Sequence, residues 1–115
     1  MESAMYPQPS REISHTRREL APEILEAFNA FSAKVFAEGA LPTRTKQLIA
    51  VAVAHVTQCP YCIRGHTEAA IKHGASDKEI MEAIWVAAEM RAGGSYAHSA
   101  LAIDTMQHVH AAGPR

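Results

Sequence analysis

Apolar residues recur at helical spacing through most of the chain, and no segment alternates convincingly at the period of a β-strand. The first such pattern predicts a helix over about 21–38, ended by Gly39. The second predicts a helix over about 43–57 that is apolar on nearly every face and must be covered on all sides. We therefore predict an all-α bundle of about five to six helices, with Trp85 and the phenylalanines in the core and with another subunit over part of the second helix.

Proline and glycine set the boundaries of the third helix. Pro60 disfavours helical backbone at Cys59 and suits the first position of a new helix. We therefore expect the second helix to end or kink just before Pro60. A third helix should then run over about 60–73 and be closed by Gly74.

A capping box marks the start of the next helix, where Ser76 is followed three residues later by Glu79. This fourth helix is expected to end near residue 91, because two glycines at 93–94 interrupt the apolar pattern. A fifth helix over about 95–110 completes the predicted fold.

Length, composition and charge limit the class of protein. The chain has 115 residues, of which 11 are basic and 12 acidic, so its charge indicates no nucleic-acid or membrane-surface partner. Its longest apolar run is much shorter than a membrane span, and its polar N-terminus shows no secretory signal, which together favour a cytoplasmic location. A polar, proline-containing stretch predicts a flexible arm over residues 1–18, and residues 19–115 would form a single helical domain.

Both cysteines of the chain fall in the segment TQCPYCIRGH at 57–66. Cys59 is expected at the N-cap of the third helix and Cys62 in its first turn, where partial positive charge and unpaired N–H groups favour a thiolate. A thiolate is a nucleophile at neutral pH. His66 comes four residues after Cys62 and would share a helix face with it, placed to take its proton or to pass it to a bound substrate.

Three interpretations of this motif stay open. In a reducing cytosol, a CxxC pair indicates a redox or metal site rather than a structural disulfide. A zinc site would use Cys59, Cys62 and His66, with His55 or another chain as the fourth ligand. A continuous helix would align His55 with the other three, although Pro60 interrupts it. The third interpretation is a purely structural role in a helical core.

The stretch KQLIAVAVAHVTQCPYCIRGHTEAAIKHGASDKEIMEAIWVAAEMRAGG resembles the core of the AhpD-like, carboxymuconolactone decarboxylase superfamily. The resemblance covers about residues 46–104. Its most specific part is the CxxCxxxH element after an apolar helix, and the later HGAS phrase is also typical. The resemblance implies an all-helical fold, association as trimers or hexamers, and an alkylhydroperoxidase or a related thiol–disulfide reductase.

Residue by residue, the resemblance implies that Cys62 is the peroxidatic cysteine, which attacks the O–O bond and becomes a sulfenic acid. Cys59 would resolve this acid by forming a disulfide with Cys62, and His66 would belong to the proton relay. The helix dipole alone would instead favour Cys59 as the nucleophile. No bound cofactor is needed for this half-reaction, and a lipoyl-bearing or thioredoxin-like protein would reduce the disulfide.

Gln47 departs from the family pattern, in which a glutamate of the relay stands twelve residues before the first cysteine. A glutamine cannot accept and release a proton at neutral pH, although it can orient His66, so peroxidase turnover is expected to be weak. Glu68 and Glu89 are candidate substitutes for the glutamate. Tyr61 stands between the cysteines, where it could donate a hydrogen bond to a thiolate or a hydroperoxide, or pack beside the motif.

These observations predict a thiol-dependent peroxidase that reduces hydroperoxides through a dithiol–disulfide cycle. The site is expected at the end of the buried second helix, near a subunit interface. Two alternatives stay open: a non-enzymatic protein that holds zinc or senses oxidation, and a decarboxylase of the carboxymuconolactone type. The true decarboxylases generally lack the cysteine pair, whereas this chain has it.

Overall fold

The computed structural model describes residues 5–113 and contains five helices in this range. They are α1 Arg11–Leu20, α2 Pro22–Phe36, α3 Thr43–Thr57, α4 Pro60–Lys72 and α5 Asp77–Ala112. No strand occurs between residues 5 and 113, which confirms the predicted all-α class. Within the same range, no helix is both long enough and apolar enough to cross a membrane.

Helix α3 forms the centre of the fold, where it packs against both α4 and α5. A small core cluster joins Val51 of α3 with Ala70 of α4, Ala75 of the following loop and Ile80 of α5. Two of these four side chains are alanine, so the backbones of neighbouring elements can approach closely around Val51, which is fully buried. The core therefore joins the middle of α3 to the end of α4 and the start of α5.

The helical backbone is interrupted between α3 and α4, at the point that Pro60 predicts. Helix α3 ends at Thr57, and Gln58 adopts the left-handed conformation with a φ of 61°. The Gln58 side-chain amide donates a hydrogen bond to the carbonyl of His55 at 2.7 Å, which satisfies one acceptor at the end of the helix. Pro60 is then the first residue of α4, as predicted.

The predicted capping box is present at the start of α5. The Ser76 hydroxyl accepts a hydrogen bond from the Glu79 N–H at 3.1 Å, and the Glu79 carboxylate accepts one from the Ser76 N–H at 2.9 Å. The same carboxylate forms an ion pair with Arg44 of α3. The Ser76 N–H, followed by Arg44, lowers the pKa of the Glu79 carboxyl below its ordinary value of 4.5. This carboxylate therefore stays ionised at neutral pH and ties the start of α5 to α3.

The predicted helix break at residues 93–94 is wrong. Helix α5 continues through Gly93 and Gly94 as a single helix of 36 residues. Neither glycine has a positive φ, so neither takes a conformation that would end a helix. Glycine lowers helix stability by about 1 kcal/mol relative to alanine but does not forbid helical backbone, and the helix-forming residues on both sides carry α5 through the pair.

Gly94→Ala is expected to raise the free energy of unfolding by about 0.5–1 kcal/mol, because alanine loses less backbone entropy in a helix. Apart from its chain neighbours and the nearby backbone of α5 itself, the added methyl group would meet no atom within 4 Å. Urea unfolding followed by circular dichroism measures the change. Gly74→Ala is the matched control and should destabilise the protein, because Gly74 has a φ of 93°. A lower stability for Gly94→Ala would contradict a continuous α5.

Large apolar side chains cover much of the surface of the single chain. Phe31 of α2 and Trp85 of α5 are 65% and 66% exposed, and Phe28 is also exposed. The prediction that Trp85 and these phenylalanines lie in the core is therefore wrong for the single chain, because its own described helices do not pack over these faces. On α3, Ile49 and Val53 remain about half exposed, so α4 and α5 supply only part of the cover that this helix needs.

Helix α1 begins in the region predicted as a flexible arm and extends two residues beyond its predicted end at residue 18. Its N-cap is Ser10, whose side-chain oxygen accepts a hydrogen bond from the Ile13 N–H at 3.1 Å. The helix packs against α2, and none of its residues is buried. The arm over residues 1–18 and the domain over 19–115 stay predictions, and residues 1–4 lie outside the described range.

Candidate active site

The two cysteines lie at the start of α4, in the positions predicted from the sequence. The sulfur of Cys59 accepts a hydrogen bond from the Cys62 N–H at 3.2 Å and so caps the helix. Cys62 is in the first turn, its sulfur is at bonding distance from that of Cys59, and the two Cα atoms are 5.2 Å apart. This Cα separation is within the normal range for a disulfide, so α4 need not move for the bond to form.

His66 lies one helical turn after Cys62 and is half-buried against α2 and α3. Its Nδ1 is 2.7 Å from Oε1 of Gln47, and its ring stacks on that of Phe36 with 5.1 Å between the ring centroids. An amide oxygen only accepts hydrogen bonds, so Nδ1 carries the proton in this pair. The neutral imidazole therefore keeps Nε2 as its basic nitrogen.

One pocket brings most of the predicted site residues together. Cys62, His66, Gln47 and Tyr61 all line a depression of about 520 Å³ between α2, α3 and α4. Gln47 is buried, with 6% of its surface exposed, and it occupies the position of the relay glutamate in the family pattern. The described lining contains no carboxylate, so the imidazole of His66 is the lining group best suited to general acid–base chemistry at neutral pH.

Neither candidate glutamate substitute lines this pocket. Glu68 forms an ion pair with Lys72 at 2.9 Å, and the hydrogen bond and charge of Lys72 lower the pKa of the Glu68 carboxyl. The carboxylate of Glu89 lies beside Gly93 on α5. Neither carboxylate therefore lines the pocket of His66 in the single chain, and the geometry does not support a relay through either of them.

Residues 22–105 match the Carboxymuconolactone decarboxylase family. The chain belongs to this family. The match covers most of α2 through α5 and includes every predicted site residue, which confirms the resemblance to the AhpD-like superfamily.

Relatives and solved structures agree with this assignment. Uncharacterized protein 4 in the cox locus of Paracoccus denitrificans is 56% identical over 106 residues, which are 92% of this chain and 95% of that protein. A carboxymuconolactone decarboxylase family protein from Legionella pneumophila is 31% identical, with a TM-score of 0.65 over 85% of this chain and 90% of that one. A Thermotoga maritima family member, for which a role in an antioxidative response has been suggested, is 28% identical, with a TM-score of 0.56 over 75% and 89%.

His55 is the predicted supporting residue that this family member does not bring to the pocket. Its Nδ1 is 2.7 Å from the carbonyl of Val51, one turn back along α3. Because α3 ends at Thr57 and Gln58 turns the chain, the continuous stripe that would align His55 with the cysteines does not form.

Helix α2 supplies three pocket residues that no sequence pattern indicated. Phe36 stacks on His66, and Ser32 and Ala33 complete the wall on that side. The start of α3 holds Phe36 in place, since the Thr43 hydroxyl donates a hydrogen bond to the Phe36 carbonyl at 2.8 Å. No spacing in the sequence connects Phe36 with the cysteine motif, because the stacking depends on how α3 positions the end of α2 relative to α4.

The ligand set considered for zinc is not assembled. Within residues 5–113, no group of three or more His, Cys, Asp or Glu side chains is placed to hold a metal ion. The sulfurs of Cys59 and Cys62 face each other, and His66 directs Nδ1 towards Gln47. Of the motif's alternative uses, this geometry supports the redox pair best.

Proposed function

We propose that this family member is a thiol-dependent peroxidase that reduces hydroperoxides through Cys59 and Cys62. The observation that carries the proposal is one pocket in which Cys62 and His66 lie a helical turn apart, with Cys59 at bonding distance from Cys62. Two thiols in this arrangement can give two electrons to a peroxide and store the oxidation as a disulfide. The suggested antioxidative role of the Thermotoga relative supports the same reading.

Cys62 is the nucleophile in this scheme, because it lines the pocket whereas Cys59 does not. The Cys62 thiolate attacks one oxygen of the hydroperoxide, the O–O bond breaks, and the other oxygen leaves with a proton as an alcohol. Cys62 is then a sulfenic acid. Cys59 attacks this sulfur, the S–S bond forms, and the hydroxyl group leaves as water.

His66 would move the protons of both steps. With Nδ1 donating to Gln47, Nε2 can accept the Cys62 proton and return it to the departing alkoxide. Gln47 holds the imidazole in this tautomer but cannot carry a proton itself. The relay therefore consists of one group rather than a chain, and we expect slower turnover than a glutamate at this position would allow.

Two kinds of protein partner complete the proposal. A lipoyl-bearing or thioredoxin-like dithiol would reduce the Cys59–Cys62 disulfide and become a disulfide itself. Further copies of the chain, as a trimer or hexamer, would cover the exposed apolar faces that include Phe31 and Trp85, since surface of this kind marks interaction sites. A single-chain mass by light scattering would contradict self-association.

Peroxide consumption with dithiothreitol as reductant tests the proposed activity. Wild type should consume hydroperoxide, and the double variant Cys59→Ser/Cys62→Ser should fall to the uncatalysed rate. Background rates in the wild type would overturn the peroxidase. Stoichiometric zinc that survives chelator treatment would favour the metal-binding alternative, and lactone decarboxylation by the double variant would favour a cysteine-independent decarboxylase.

A further inference from the structure

We infer that a second pocket beside the cysteine motif binds the carboxylate of an organic hydroperoxide, an inference that rests on the proposed peroxidase function. This carboxylate pocket lies between the N-terminal segment with α1 on one side and the start of α4 on the other, and its volume is about 480 Å³. That volume is within the range of about 300–1,000 Å³ that is usual for small-molecule sites. Its walls include Pro7, Pro9, Ile13, Ser14, Arg17 and Tyr61.

Tyr61 joins the carboxylate pocket to the redox site. Its side chain also lines the pocket of Cys62 and His66, so it forms a wall common to both. Tyr6 packs edge-on against the Tyr61 ring, with the two ring centroids 5.9 Å apart. This contact places the N-terminal segment next to the cysteine motif. A molecule that occupied both pockets would pass along Tyr61, with one end at Arg17 and the other at Cys62.

The carboxylate pocket combines apolar walls with one positive charge. Pro7, Pro9 and Ile13 supply apolar surface, and Arg17 is the one charged residue of the described lining. Among residues 5–113, no carboxylate forms an ion pair with Arg17, whereas His15 on the same helix is paired with Glu19. A guanidinium next to apolar surface binds a carboxylate through two parallel, charge-assisted hydrogen bonds.

The ligand that fits this combination has an apolar body and a carboxylate at the end remote from the hydroperoxide. Small neutral hydroperoxides would reach Cys62 without using the carboxylate pocket. Contacts between Arg17 and a remote carboxylate are the same before and during O–O cleavage. They would therefore lower KM and leave kcat unchanged.

Arg17→Gln tests this with the 13-hydroperoxide of linoleic acid as substrate. The variant should raise KM for this acid about tenfold, the loss of roughly one charge-assisted contact, with kcat unchanged. Its KM for the methyl ester of the same hydroperoxide and for tert-butyl hydroperoxide should stay at the wild-type value. Arg18→Gln is the matched control, because Arg18 lies on the same helix but lines other grooves. Equal KM values for acid and ester in the wild type, or an equal effect of Arg18→Gln, would overturn the inference.

Binding of the unreactive 13-hydroxy acid separates this inference from the proposed activity. Calorimetric titration should show binding to the wild type and about tenfold weaker binding to Arg17→Gln. A protein that binds the hydroxy acid through Arg17 but consumes no peroxide would support the carboxylate pocket and contradict the peroxidase function. Peroxide turnover with no effect of Arg17→Gln on binding or KM would support the peroxidase function and overturn the carboxylate pocket.

Discussion

Cys62→Ser is expected to lower kcat/KM for hydroperoxides by a factor on the order of 10³ or more, since removing a nucleophile eliminates the covalent step. A serine hydroxyl is not ionised at neutral pH and does not take up an oxygen atom as sulfur does. The Cys62 side chain lines the pocket, and its replacement by serine changes little in volume. Peroxide loss coupled to dithiothreitol oxidation measures the effect.

Cys59→Ser is the matched partner of this variant and should behave differently. Cys62 would still react with one equivalent of peroxide, but the sulfenic acid would have no neighbouring thiol to resolve it. A dimedone adduct on Cys62, found by mass spectrometry, would demonstrate this state. An adduct on Cys59 in the Cys62→Ser protein, with none in Cys59→Ser, would reverse the two roles and favour the helix-cap argument for Cys59.

Gln47→Glu is expected to raise kcat by about tenfold or more, because it places a second proton carrier next to His66 and general acid–base groups contribute factors of about 10²–10⁴. Oε1 of Gln47 already lies 2.7 Å from Nδ1 of His66, so a carboxylate oxygen in the same place would stabilise the imidazolium. Gln47→Met should have the opposite effect, since it keeps the volume but removes a strong acceptor.

A double-variant comparison shows whether Gln47 acts through the imidazole. His66→Ala alone should lower kcat by a factor of about 10². If the glutamate works through His66, combining Gln47→Glu with His66→Ala should give no gain over His66→Ala alone. Equal rates for the glutamine, glutamate and methionine proteins would contradict this role and leave the orientation of His66 to its stacking on Phe36.

Helix boundaries were predictable where one residue decides the local backbone. Pro60 ends one helix and starts the next whatever surrounds it, and the Ser76–Glu79 capping box is formed by side chains three residues apart. The glycines at 93–94 show the limit of such reasoning. A glycine pair only weakens a helix, so its effect depends on the strength of the helix on either side, and here α5 continues.

The candidate site was predictable to the extent that it lies on one helix. The four-residue spacing of Cys62 and His66 places them on the same face of α4, as observed. The hydrogen bond between Gln47 and His66 joins two helices, and only the family resemblance pointed to position 47. Phe36 comes from a third helix, so its stacking on His66 depends on tertiary packing that no local pattern encodes.

The cap at the start of α4 determines which sulfur of the disulfide a reductant should attack in the proposed regeneration step. The sulfur of Cys59 accepts the Cys62 N–H at 3.2 Å and faces the positive end of the helix, so charge that develops on this sulfur is stabilised as the disulfide opens. In thiol–disulfide exchange, the better-stabilised thiolate is the better leaving group. An incoming reductant should therefore attack Cys62, expel the Cys59 thiolate and form its transient mixed disulfide with Cys62. Peroxide and reductant would then react at the same sulfur atom, that of Cys62. Cys59 would resolve the sulfenic acid in the first half-reaction and be the leaving group in the second.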